Sequence, residues 1–175
     1  GKDDALKKVR LIADILRSKA LDVQAIQAYE LLLREDPNHP EAPLIQLGIY
    51  ESLARMGKTS DSIKHLVRAI EKYGAASDFA KDYPSDKKQE LAAILENLQS
   101  EGFKVATFHH HAAQKGTNRI HFEYALALYN ALQKSFPNHP ERKKIAFYMG
   151  EVLYAQKKWE AAADYYMAAS KIAPK

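Results

Sequence analysis

The sequence predicts an all-α solenoid of four to five antiparallel helix pairs, and three observations support this prediction. Apolar residues recur at helical spacing almost throughout the chain, whereas the alternation typical of strands is nearly absent. The pentapeptide Pro-Asn-His-Pro-Glu occurs at 37–41 and again at 137–141, an offset of 100 residues. That offset corresponds to about three repeats of 34 residues. The breaks between the predicted helices are short, so consecutive helices are expected to be antiparallel neighbours.

The individual helices follow from periodicity and from the residues that interrupt it. In both pentapeptides the first proline ends a helix, the asparagine can cap, and the second proline lies near the first turn of the next helix. The segment 74–86 is irregular, and a short helix near 76–81 must end before Pro84. The predicted helices are 4–18, 22–35, 42–56, 60–73, 86–100, 103–115, 119–135, 141–156 and 159–172.

Composition excludes several classes of protein. The chain has 175 residues, enough to bury a core, and a formal net charge of +4, which is modest for a nucleic-acid-binding domain. The absence of cysteine excludes disulfide scaffolds, thiolate metal sites and cysteine nucleophiles. No apolar stretch of about 18 residues predicts a transmembrane helix. We therefore expect no nucleic-acid partner and no direct insertion into a membrane.

The last 33 residues resemble a tetratricopeptide (TPR) repeat. In that family a small residue at position 8 is followed by an aromatic residue, an alanine, a second aromatic residue, a small or apolar residue and a proline at fixed spacing. With Lys143 as the first position, these places are taken by Gly150, Trp159, Ala162, Tyr166, Ala169 and Pro174. The resemblance implies a right-handed superhelix in which each helix pair needs stacked neighbours to bury its apolar face.

The TPR pattern divides the chain into units of decreasing fidelity. Units are expected at about 6–39, 41–74, 103–138 and 143–175, with a degenerate unit at 75–102. The unit from Glu41 fits only with a two-residue insertion, and the first helix of the unit 103–138 is shifted by a few residues. The Pro-Asn-His-Pro punctuation and the string 150–159 look similar to repeats of bacterial cell-envelope TPR proteins. Four residues at repeat positions are expected in the core: Tyr29, Tyr129, Trp159 and Tyr166.

Catalysis and metal binding have little support in the sequence. The chain lacks a nucleophile elbow, a phosphate-binding glycine loop and a His-Glu-x-x-His motif, so we expect no enzyme activity and no cofactor. The run 109–111 is His-His-His, but consecutive helical residues point about 100° apart and cannot converge on one ion. A site would need one of them plus His121 or an acid across the turn. If no metal is bound, we expect these histidines to titrate at a pH of about 6.5 and to make the protein sensitive to pH.

The resemblance also implies where a partner binds. In TPR proteins, positions 2, 5, 9, 12 and 13 of the first helix of each unit line a concave groove. His110 falls on position 5 or 9 of its unit, depending on the register. The first unit contributes Lys7, Arg10, Asp14 and Arg17, and the last unit contributes Lys144, Phe147, Glu151 and Tyr154.

This inferred groove combines basic side chains with exposed rings. We therefore expect a protein or peptide partner, with a short acidic or C-terminal segment as the ligand. The same residues are also compatible with a solvated helix face or with packing against an additional helix. The surface around Tyr148, Val152 and Tyr165 is expected to be left apolar, which keeps homo-oligomerisation through repeat ends or convex faces open.

Localisation stays open. The first residues, Gly-Lys-Asp-Asp, lack the apolar region of a signal peptide. A targeting segment is expected to lie outside this sequence. The periplasm or cell envelope and the cytoplasm are both compatible with a chain that has no thiols.

Overall fold

Every regular element that the structure describes is helical. The structure is a computed structural model that describes residues 1–116 and 118–173. A short 3₁₀ turn at Ser85–Lys87 precedes α6. The α-helices are α1 (Lys2–Ser18), α2 (Asp22–Glu35), α3 (Ala42–Arg55), α4 (Thr59–Tyr73), α5 (Asp78–Lys81), α6 (Lys88–Gln114), α7 (Ile120–Ser135), α8 (Arg142–Ala155) and α9 (Trp159–Lys171). None of the described helices is long and apolar enough to cross a membrane.

The helices pack as four antiparallel pairs that follow each other in chain order. The pairs are α1/α2, α3/α4, α6/α7 and α8/α9. Successive pairs contact each other between α2 and α3, between α4 and both α6 and α7, and between α7 and α8. An ion pair of 3.0 Å between Lys2 Nζ and Glu35 Oε2 links the start of α1 to the end of α2, as antiparallel packing requires. At the opposite end of α2, Arg55 of α3 donates two hydrogen bonds to the buried carboxylate of Asp22. The all-α helical-repeat fold predicted from the sequence is confirmed.

Histidines hold the two copies of the repeated pentapeptide in one conformation. The Nδ1 atom of His39 accepts a hydrogen bond from the backbone amide of Glu41 at 3.1 Å. His139 Nδ1 accepts the same bond from Glu141 at 2.9 Å. Each histidine carbonyl also accepts a backbone bond from the residue three positions later. The side-chain cap that the sequence assigned to asparagine is therefore provided by the histidine of each pentapeptide.

The offset of 100 residues extends far beyond the pentapeptide. α3 and α8 begin at 42 and 142 and end at 55 and 155, while α4 and α9 begin at 59 and 159. These bounds leave no room for the two-residue insertion predicted after Glu41, which is wrong. Identical buried residues recur at the same offset: Ala13 and Ala113, Ala25 and Ala125, Tyr29 and Tyr129, Leu32 and Leu132, Ile45 and Ile145, Leu53 and Leu153, and Ala69 and Ala169. The chain therefore contains two equivalent halves, α1–α4 and α6–α9.

The long helix α6 differs from the prediction. The sequence predicted separate helices at 86–100 and 103–115, but one helix of 27 residues runs through both. Gly102 lies where α6 packs against α4 and α7, and a Cβ there would stand 2.6 Å from Ile70 Cδ1 and 3.0 Å from Leu132 Cδ2. The glycine serves close packing here and does not end a helix. The predicted boundary between the units 75–102 and 103–138 therefore falls inside α6.

The halves meet at the junction after α4. Gly74 lies against α7, and a Cβ on it would stand 2.7 Å from Ser135 Cβ. The amide of Ala76 donates to the carbonyl of Ser135 at 3.0 Å. As expected, the short helix α5 follows this contact and ends at Lys81, before Pro84. Residues from both sides of the junction, among them Leu66, Ile70, Leu128 and Leu132, share one buried cluster, so the halves form one continuous array.

Candidate functional site

The predicted groove residues of α1 lie together, but the charges of Arg10, Asp14 and Arg17 are already engaged. Arg10 Nε donates to Asp14 Oδ2 at 3.0 Å, and Arg10 Nη1 lies 3.4 Å from Glu41 Oε2. Arg17 forms an ion pair with Glu51 of α3. Both arginines are therefore neutralised within the chain. This side of α1 offers less attraction to an acidic ligand than the sequence suggested.

A cleft of about 480 Å³ opens beside these residues and is called the α1 cleft below. It lies between α1, the first pentapeptide turn and the start of α3. Its lining contains four carboxylates, two cations and a histidine, together with apolar side chains. The lining residues are Asp3, Asp14, Asp36, Glu41, Lys7, Arg10, His39, Leu6, Leu11, Leu32 and Ile45.

His110 is not a surface contact residue, which corrects the prediction. Its side chain is only 1% exposed, because α7 and α8 cover it. His110 Nδ1 lies 3.2 Å from the hydroxyl of Tyr129 on α7, and the rings of His110 and Tyr148 on α8 are 5.0 Å apart. Burial, and then the neighbouring His111, lower the pKa of His110 to about 4. The Glu151 carboxylate lies 3.7 Å from its Nε2 atom.

The structure brings His109 and His121 together across the α6–α7 turn. Their Nδ1 atoms are 2.7 Å apart and their rings stack with centroids 5.0 Å apart. Burial, and then His121, lower the pKa of His109 to about 4. Within the described residues no group of three or more potential metal ligands converges. The prediction that these rings titrate near pH 6.5 is therefore wrong for the buried His109 and His110.

A second concavity, of about 640 Å³, is formed by α8 and α9 and is called the α8–α9 pocket below. Its lining is mostly apolar, with two lysines and one glutamate beside the apolar surface. Phe147 is 45% exposed, and its ring lies 5.4 Å from that of Tyr166. Lys144 Nζ pairs with Glu141 Oε2 at 3.2 Å, whereas no ion pair within the described chain involves Lys143. The lining residues are Pro140, Glu141, Lys143, Lys144, Phe147, Tyr166, Ala169 and Ser170.

Several expectations about this end of the array need correction. Trp159 is 53% exposed and packs edge-on against Tyr154, which is 59% exposed, so Trp159 is not a core residue. Tyr166 is half-buried, because no described helix covers that side of α9. Val152, expected on an apolar surface, is fully buried. Tyr29 and Tyr129, by contrast, are buried as predicted.

The predicted site residues thus divide into two separate places. Lys7, Arg10 and Asp14 line the α1 cleft, and Lys144 and Phe147 line the α8–α9 pocket, and no residue lines both. Arg17, Glu151 and Tyr154 line neither concavity. The sequence reasoning missed the contributions of the two pentapeptides. The repetition of 37–41 at 137–141 was the available signal, since both turns line a concavity. The missed residues are Asp3, Asp36, His39 and Glu41 in the α1 cleft, and Glu141, Lys143, Tyr166 and Ala169 in the α8–α9 pocket.

Comparisons with known proteins add little to this geometry. No family model matches the chain, and no curated protein matches it either. Among solved structures, one similar chain is described as "MamA RS-1 ArsTM double mutant". It is 15% identical, and the match covers 96% of this chain and 94% of that chain with a TM-score of 0.36. Such a likeness carries no argument, and the fold rests on the helix packing of the chain itself.

Proposed function

We propose that this chain is a non-catalytic protein-interaction scaffold that holds a segment of a partner protein on its first-helix face. The α8–α9 pocket is the main anchor point. The observation that carries the proposal is a mostly apolar pocket of about 640 Å³ that has two lysines at its edge. Concave sites with an apolar lining and a few placed polar groups are the usual form of ligand sites in proteins.

The equivalent surface in the first half supports this assignment. The residues 100 positions earlier than Phe147 and Tyr166 are Leu47 and Leu66. Both are buried in the cluster that includes residues of α4, α6 and α7, and α6 and α7 pack against α4. Phe147 is 45% exposed and Tyr166 is half-buried, so the surface that they form is open within the described chain. A partner segment that covered it would bury apolar area much as α6 and α7 do in the first half.

The charges at the pocket favour a ligand with a carboxylate. Lys143 and Lys144 both line it, while Glu141 neutralises only one of them. An apolar side chain next to an acidic residue or a free C-terminus would place its chain in the pocket and its carboxylate beside Lys143. Phe147 and Tyr166 supply apolar contact at a low cost in side-chain entropy.

Affinity capture from the source cells tests this proposal. The chain with both Phe147→Ala and Tyr154→Ala is compared with the wild type and with Phe108→Ala, which alters another exposed phenylalanine, on α6. A partner that binds the wild type and Phe108→Ala but not the double variant supports the proposal. Retention of the partner by the double variant places recognition on another face and contradicts it.

Self-assembly through the ends of the array is a second candidate function. Large apolar side chains are exposed at both ends of the array. They are Leu11, Ile12, Ile15, Leu21 and Val23 at the α1/α2 end, and Phe147, Tyr154, Trp159 and Met167 at the α8/α9 end. Light scattering over a range of concentrations distinguishes the candidates. A mass that rises with concentration, and that Leu11→Lys returns to the monomer value, favours self-assembly.

A further inference from the structure

We propose that the α1 cleft is a second binding site, which takes an aromatic side chain from a partner segment that also carries a basic residue. This site is separate from the α8–α9 pocket and is not needed for the function proposed above. The argument rests on what the chain itself places in the equivalent cleft of its second half.

The two halves place equivalent residues around this cleft. At an offset of 100 residues, Leu32 and Leu132 are identical, as are Ile45 and Ile145, and all four are buried. His39 and His139 are also identical and hold the same turn. Two lining aspartates, Asp3 and Asp36, are replaced by phenylalanines in the second half, Phe103 and Phe136, and Phe103 is the one whose ring lies against the equivalent histidine.

In the second half, Phe103 occupies the space that is open in the α1 cleft of the first half. Its ring lies 5.6 Å from the ring of His139 and packs against the buried core. Phe103 and the preceding turn of α6 together cover His139, which is 4% exposed. The Nε2 atom of His139 lies 3.4 Å from the carbonyl oxygen of Gln99 in that turn. In the first half the smaller, charged Asp3 takes that place, and His39 is exposed. The α1 cleft therefore lacks the ring that lies against the equivalent histidine in the second half.

The floor and volume of the α1 cleft suit a ring. Leu6, Leu11, Leu32 and Ile45 provide apolar surface, and about 480 Å³ falls within the usual range of ligand pockets. The exposed imidazole of His39 offers an aromatic face, as His139 does to Phe103. Aromatic rings packed in this way gain more than their buried area alone provides.

The charge around the α1 cleft determines which residues are favoured next to the ligand's aromatic residue. Four carboxylates line it against two cations, and Arg10 is held by two of those carboxylates, Asp14 and Glu41. Within the described chain neither Asp3 nor Asp36 forms an ion pair, and Lys7 is the one remaining cation of the lining. A lysine or arginine beside the ligand's ring would therefore find an excess of negative charge. The same field disfavours an acidic segment.

The test is an NMR titration of the ¹⁵N-labelled full chain with the peptide acetyl-Gly-Lys-Phe-Lys-Gly-amide. We expect shifts of the backbone amides of Leu6, Leu11 and Ile45, which line the cleft. The peptide with alanine in place of phenylalanine is expected to cause none. The peptide with glutamate in place of both lysines is expected to bind roughly fivefold more weakly, as two exposed charge contacts would produce.

Two protein variants make the test specific. Asp3→Phe places in the first half the side chain that fills the second, and is expected to abolish the shifts. Asp4→Phe introduces the same ring one position away, outside the cleft lining, and is expected to leave them unchanged. Shifts that persist in Asp3→Phe, that arise away from the cleft, or that are equally strong with the glutamate peptide would overturn the proposal. So would the absence of shifts at millimolar peptide.

Discussion

The hydroxyl of Tyr29 on α2 donates a hydrogen bond to Asp14 Oδ1 on α1 over 2.6 Å. Tyr29 is 1% exposed, and the same Asp14 carboxylate also accepts from Arg10. The buried Tyr29 side chain on α2 therefore holds Asp14, and through it Arg10, in place on α1. In the second half, Tyr129 lies against His110 in the same position, with 3.2 Å between Oη and Nδ1. The halves share a packing scheme but place different polar groups on it.

Removal of the Tyr29 hydroxyl should destabilise the fold. Tyr29→Phe keeps the ring and deletes the bond to Asp14, so the free energy of unfolding is expected to fall by about 1–2 kcal/mol. Urea denaturation followed by circular dichroism measures this. Tyr154→Phe, at an exposed position, is the matched control and should change stability by less than about 0.5 kcal/mol. Equal effects of the two variants would show that the Tyr29 bond contributes nothing.

Stability should decrease at alkaline pH because of buried tyrosines. Burial, and then the hydrogen bond to Asp14, raise the pKa of Tyr29 to about 12, and burial raises the pKa of Tyr73 to about 12. An unfolded tyrosine loses its proton near pH 10, so the folded state retains more protons between pH 10 and 12. The tyrosines should therefore contribute no pH dependence below pH 10, and the free energy of unfolding should fall as the pH rises from 10 to 12. Urea titrations at several pH values check this, and Tyr73→Phe should reduce the slope.

Stability should also decrease at mildly acidic pH because of buried histidines. The pKa values of His109 and His110 are lowered to about 4, from 6.5 in the unfolded chain. Between these values the unfolded state binds more protons, so stability should fall as the pH drops from 6.5 to 4. His110→Gln removes one titrating group and should flatten this dependence. An equally steep dependence in His110→Gln would contradict the assignment.

Gly74 should tolerate no side chain at the junction of the halves. A Cβ there would lie 2.5 Å from the carbonyl oxygen of Ile70 on α4 and 2.7 Å from Ser135 Cβ on α7, so Gly74→Ala must shift the end of α4 and its packing against α7. We expect a loss of about 2–3 kcal/mol in thermal or urea unfolding. Gly57→Ala is the comparison, since Gly57 has a φ of 74° but open space around it. It should lose only about 1 kcal/mol through backbone strain, and a larger loss than in Gly74→Ala would be inconsistent with steric contact.

Local signals predicted the elements well and their environments less well. The predicted helices 22–35 and 60–73 agree with α2 and α4 within a residue at each end, because turn residues bound them. The break predicted between 100 and 103 was wrong, because one helix runs through it and Gly102 serves close packing. His110 and Trp159 were misplaced because periodicity defines a helix face but not what covers it. α8 covers His110, while the surface next to Trp159 stays open within the described chain.

The candidate site was predicted only in part for the same reason. Lys144 and Phe147 were found through the TPR pattern, and they do line a concavity. The repeated pentapeptide indicated the offset of 100 residues, but the equivalence of the flanking helices, which distinguishes an open cleft from a filled one, follows from the matching bounds of α3 and α8. At the α1 cleft this comparison contrasts Asp3 with Phe103, a difference that no local motif marks.

Photocrosslinking at position 147 tests the central claim most directly. A benzoyl-phenylalanine placed at Phe147 in the source cells should form an adduct with one partner protein, and mass spectrometry should locate it next to an acidic residue or a C-terminus. The same group at Phe108, which is 66% exposed on α6, is the control and should give no such adduct. An identical adduct from both positions, or none from position 147 while the partner is still captured, would contradict the assignment of the α8–α9 pocket as the binding site.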